Sequence, residues 1–142
     1  MLENDYLMRM ILLFIRFLKQ ALGQRHVNPR EASQQLENQI ADAVNIDAEL
    51  FFSLAPESMV TLLQLGGFDE RLAEYMVRAF AFDASLLDEA NMQQHAELRR
   101  NQMQALALAY GKSIDEQDLL PEAILNFVEQ SEQQYLDDQP EL

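Results

Sequence analysis

The chain has 142 residues and a net charge of −14, with 49% hydrophobic residues, 4 Gly, 4 Pro and no Cys. That length and apolar content suffice for one core. Without Cys, a disulfide framework, a thiol nucleophile and cysteine-ligated zinc are excluded. Residues 1–30 carry five Lys or Arg against two acids, net +3, whereas residues 31–142 carry five against 22, net −17; such a body repels phosphate backbones and disfavours nucleic-acid binding.

The composition, poor in turn formers and rich in Leu, Ala, Glu, Gln and Met, predicts an all-helical chain of about seven helices. The first spans residues 5–22 and is apolar and basic, with Gly23 placed for a left-handed helix end. Asn28-Pro29-Arg30-Glu31 reads as the start of a second helix, with Asn28 as N-cap, Pro29 in the first turn and Glu31 reaching back as in a capping box. Its narrow stripe of Ala32, Leu36, Ile40, Ala43 and Val44 buries one face. Asp47 caps a short "AELFFSL" piece, and Pro56 opens "PESMVTLLQL", which stops at Gly66-Gly67. Asp69 caps a long helix carrying Leu72, Tyr75, Met76, Ala79, Phe80 and Leu87. A break is expected near Asn91, since "QQHAELRRNQ" is almost wholly polar; Met103, Leu106, Ala107 and Tyr110 then restore an apolar face. Ser113 and Glu116 form a second candidate capping box, and Pro121 opens a last helix with Ile124, Phe127, Val128 and Tyr135 on one side. The expected organisation is one helical domain over 1–136 and a flexible acidic tail over 137–142. Short turns between the helices predict antiparallel hairpins, either tetratricopeptide-like or as an irregular bundle. No 34-residue period recurs, and at most one degenerate unit fits, around residues 69–110. Tyr75, Met76, Phe80, Met103, Leu106 and Tyr110 should share one seam, with Phe82 pointing elsewhere.

Motifs for chemistry are absent. "AYGKS" at 109–113 lacks the leading glycine and strand of a phosphate-binding loop. His26 and His95 have no second ligand at helical spacing and read as solvated, so no metal is expected. Asp83, Asp88 and Glu89 do not match a calcium loop, and they and the Glu70/Glu74 pair read as solvated faces. No serine elbow or dinucleotide fingerprint occurs. The chain is therefore read as non-enzymatic, with no cofactor.

"NDYLMRMILLFIRFLKQALG" decides between membrane and core. At about 100° per residue, Asp5, Arg9, Arg16, Lys19 and Gln20 share one sector and the apolar residues cover most of the rest. The uninterrupted apolar run, Met10 to Ile15, is far too short to span a bilayer, and leading acids, internal cations and the lack of a small-residue cleavage site exclude a signal peptide. A core helix, an interfacial helix and a dimer face remain open. The pattern Asp5-Tyr6-Leu7-Met8-Arg9-Met10-Ile11 resembles the opening of a family of small bacterial cytoplasmic helical proteins, a domain of unknown function loosely related to tetratricopeptide-like folds. The likeness extends over a basic first helix, a capped second helix, "SLAPESMVTLLQLGG" and long paired helices; the chain departs from it in the apolar "ILLFIRFL" continuation. The resemblance implies fold and compartment and no activity.

The functional expectation is a cytoplasmic, non-catalytic module that binds a protein or peptide partner or self-associates, with Tyr6, Arg9, Met10, Leu13, Arg16, Phe17 and Lys19 of the first helix as candidate interaction surface. Two alternatives are a peripheral membrane protein using the same helix, and a small-ligand binder or enzyme with a pocket between helices that leaves no sequence mark.

Overall fold

The computed structural model describes residues 2–137, and these form an all-α bundle. Its helices are α1 (Leu2–Gln24), α2 (Pro29–Val44), α3 (Ala48–Ser53), α4 (Pro56–Leu65), α5 (Glu70–Glu89), α6 (Gln93–Ala109) and α7 (Pro121–Asp137), with a 3₁₀ turn at Glu116–Leu119 before α7. The tail expected over 137–142 lies outside the described residues, except Asp137, the last residue of α7.

Local chemistry sets the boundaries. Asn28 Oδ1 accepts the Glu31 N–H at 3.1 Å, while the Glu31 carboxylate takes the Asn28 side-chain amide rather than its backbone. Asp47 accepts from the Leu50 N–H at 3.1 Å and Asp69 from the Arg71 N–H at 2.8 Å, so both act as N-caps. Asn45 (φ 59°) and Asn91 (φ 62°) end α2 and separate α5 from α6 in the left-handed region, where Asn is tolerated. Two boundaries differ from expectation. Gly23 stays inside α1, which ends one residue later with a turn closed by Val27 N–H on the Gln24 carbonyl. Ser113 makes no cap, and the turn it was to open starts after Asp115 without a side-chain bond.

α5 is the central helix, packed against α1, α2, α6 and α7. Its buried residues therefore surround it: Phe80 and Phe82 are both at most 1% exposed. Phe82 does point elsewhere, yet it is as buried as Phe80, because helices pack on several sides of α5 and leave only a narrow, partly exposed stripe through Arg71, Glu74, Arg78 and Ser85. Of the residues expected to share the α5–α6 seam, Tyr75, Met76, Phe80 and Leu106 are buried in the common core and Met103 and Tyr110 are partly buried against it, while the ring contacts of Tyr75 and Tyr110 are with Phe127 of α7 and with Phe68. Phe51, Phe52 and Phe80 cluster with ring centroids 5.0 to 6.2 Å apart, tying α3 to α5.

α1 turns its apolar arc inward. Ile11, Phe14, Ile15 and Leu18 are at most 1% exposed, and Asp5, Arg9, Arg16, Lys19 and Gln20 face solvent. α7 covers its flank, with Lys19 Nζ 2.9 Å from Glu132 Oε1. Tyr75 on Phe127 (5.1 Å between centroids) and the Arg78 guanidinium 3.6 Å above the Phe127 ring hold α7 to α5. No helix among the described residues is long and apolar enough to cross a membrane.

Candidate functional site

Two constellations stand apart from the apolar core. The first is a polar junction where α2, α3, α5 and α6 meet. Arg99 of α6 is 2% exposed, and its guanidinium makes four contacts: Asp83 Oδ2 at 2.8 Å, Glu37 Oε2 at 2.9 Å, the Phe52 carbonyl at 3.0 Å, and Gln102 Oε1. Its Cζ also lies over the Phe52 ring, 4.6 Å from the centroid. Gln102 donates to the carbonyls of Phe52 and Leu54 at 3.2 and 2.8 Å. Together the two side chains satisfy carbonyls that a six-residue helix, α3, leaves open at its C-terminus. Ser33 Oγ donates to Asp83 Oδ1 at 2.6 Å. Asp83, expected on a solvated face, is instead fully buried. The expectation failed because a carboxylate on a helix is solvated by default, and only the arrival of Arg99 from another helix permits burial.

The junction is electrostatically closed. Two carboxylates share one guanidinium, so burial, and then the neighbouring Glu37 carboxylate, pushes the Asp83 carboxyl well above the usual carboxylate range, while Arg99 and Ser33 oppose the rise. Arg99 is fully engaged, and Ser33 sits beside an acid with no imidazole to activate it. The arrangement is a clamp that fixes α6 and α3 on α5.

The second constellation is a groove of about 620 Å³ at one end of the bundle. Its walls are the first turns of α1, the last turn of α2 with Asn45, the end of α4 with Gly66-Gly67, and the start of α5. The sequence shapes it through two left-handed residues, Asn45 and Gly67 (φ 74°), which turn the chain sharply out of α2 and α4. Leu7, Met10, Val44, Ile46, Leu62 and Phe68 supply an apolar lining, and Tyr6, 55% exposed, stands at the mouth. The Arg71 guanidinium grips Asp69 at the rim through Nε (3.0 Å) and Nη2 (2.8 Å), and this pairing holds the Asp69 carboxyl below its ordinary range. A volume of this size, mostly apolar with a few polar groups at its edge, suits a ligand or a short run of side chains.

The residues singled out on α1 divide between core and surface. Met10 and Phe17 are buried, Met10 also forming part of the groove wall; Leu13 is half-buried; Tyr6, Arg9, Arg16 and Lys19 are exposed. Tyr6 and Met10 are the two that meet in the groove. The other lining residues escaped sequence reading. A signal was available in α4, whose apolar residues Met59, Val60, Leu62, Leu63 and Leu65 exceed what one core face uses: Leu62 stays half-buried and Leu65 is 81% exposed. Among the described residues, no group of three His, Cys, Asp or Glu is disposed to hold a metal ion.

These two features define a helical bundle with a closed polar clamp and an open apolar groove. Comparison with family models, curated proteins and solved structures returns no match.

Proposed function

We propose that the chain is a non-catalytic helical binding module whose groove at the α1/α2/α4/α5 end receives an apolar segment of a protein partner. The observation that carries this reading is the unfilled groove of about 620 Å³ in a bundle whose buried ionisable cluster is already closed on itself. A site for chemistry needs a reacting group within reach of an unoccupied position; around this groove the polar side chains are an exposed Tyr6, the amide of Asn45 and an Asp69–Arg71 pair engaged with each other. The membrane alternative asks α1 to lay its apolar face into lipid. That face is committed to the core in this fold, which favours a protein partner. A cytoplasmic setting and kinship with the small bacterial helical family that the opening motif resembles belong to the same reading.

A photo-crosslinking amino acid at Tyr6 tests the proposal, with Val27, 83% exposed in the α1–α2 turn, as the control position. In cells, the Tyr6 position should give one discrete adduct that maps to a single segment of another protein and disappears when Val44→Arg blocks the groove. Adducts equally frequent at Val27, or unaffected by Val44→Arg, would overturn it.

A further inference from the structure

The groove carries more charge information than its lining shows. Next in sequence to lining residues stand four exposed acids, Asp5, Asp42, Asp47 and Glu70, and Asp69 itself lies in the rim. Against these five carboxylates, of which Asp47 also caps α3 and Asp69 is paired with Arg71, the same surroundings offer two cations, Arg9 and Arg71. Acids therefore outnumber cations among the residues next to the lining, and the groove belongs to a body of net −17 beyond residue 30. Charges at a rim act within a Debye length, about 8 Å at physiological salt, and the body's wider field adds to them on approach. Acidic flanks on a bound segment would face a surplus of like charge, whereas Lys or Arg beside an apolar centre would be drawn to it.

We propose that the groove selects an apolar segment bracketed by basic residues. This rests on the reading of the groove as a docking site. The apolar centre supplies affinity through burial against Leu7, Val44, Ile46 and Leu62. The basic flanks supply selectivity and speed of association, the usual contribution of complementary charge at an interface rim.

The test uses the full chain and two pools of fluorescent peptides with the same degenerate centre of Leu, Ile, Phe and Met, one flanked by Lys and Arg and the other by Asp and Glu. In fluorescence anisotropy the basic pool should bind about tenfold tighter at low salt, with the advantage shrinking as salt is raised. Asp5→Lys with Asp42→Lys, both on exposed positions, should remove or invert that preference without changing the melting temperature. Val44→Arg should abolish binding of both pools. Equal binding, or preference for the acidic pool, would overturn the charge selection and leave the groove as a docking site. Absence of saturable binding by either pool, or binding that Val44→Arg does not disturb, would overturn the docking site itself and the selectivity with it.

Discussion

α1 and α6 both pack on the central helix α5, and they do so by opposite chemistry. α1 brings Ile11, Phe14, Ile15 and Leu18, and its cations stay in water. α6 has a mostly polar first half; it buries Ala96, Arg99, Gln102 and Leu106, and its most connected side chain is a guanidinium. An apolar interface tolerates imprecision, because burial is rewarded by area in any direction. A buried guanidinium tolerates none, because each missing acceptor leaves a desolvated donor. α1 thus buries more apolar surface than α6, while α6 fixes how α2, α3 and α5 are mutually placed.

Four perturbations would break or sharpen this contrast. The largest effect should follow removal of α1. Burying Met10, Ile11, Phe14, Ile15, Phe17 and Leu18 at about 1.5 to 3 kcal/mol each is comparable with a domain's whole net stability, so residues 25–142 expressed alone should be insoluble or lack a cooperative melt. A soluble fragment melting like the full chain would make α1 an appendage. Next, Arg99→Met leaves Asp83 and Glu37 facing each other without their cation and should cost about 3 to 5 kcal/mol in denaturant unfolding. Adding Asp83→Leu should recover part of the loss; no recovery would mean that the guanidinium acts by packing alone.

The third perturbation is pH. The folded state holds the proton of Asp83 to higher pH than the unfolded chain does. As pH rises past the ordinary carboxylate range the unfolded state ionises first, and stability falls until the folded carboxyl has also ionised. Asp83→Asn cannot ionise and escapes this loss, so the stability gap between wild type and variant should narrow as pH rises above the ordinary carboxylate range. A gap that is constant or widens would place an ionised Asp83 in the fold throughout. The smallest effect belongs to the electrostatics of α1: the Lys19–Glu132 pair is 44% and 34% exposed, and Lys19→Ala should cost well under about 1 kcal/mol. A cost comparable with that of Arg99→Met would erase the contrast between the helices.

The same contrast explains what could be read from sequence. α1 was legible because a wide apolar arc and a narrow charged sector repeat at the helical period, and the caps at Asn28, Asp47 and Asp69 were legible because each bond joins residues two or three apart. The burial of Arg99 was not. Arg, Asp and Glu are surface residues by default, and the partners Glu37, Phe52 and Asp83 lie 62, 47 and 16 residues away in the chain. The groove was legible only at its α1 edge, through Tyr6 and Met10. Its volume arises where four helix ends diverge, and no local pattern encodes the space between ends. Met10 and Phe17, expected on the surface, lie about 60 to 80° beyond the edge of the charged sector, on the apolar arc, and are buried with it.

The claim on which the account rests is that fold and groove are separable, the first secured by α5 and its clamp and the second left open for a partner. One paired measurement on Val44→Arg tests it most directly: thermal melting together with binding of the basic-flanked peptide pool. Val44 is half-buried at the end of α2, and a partly exposed substitution costing about 1 kcal/mol or less should move the melting temperature by no more than about 4 °C. Separable fold and groove give such a near-unchanged melt with loss of peptide binding. A collapse of the melt would show that the groove is unfinished core, and a stable variant that still binds would show that the groove is not where binding occurs.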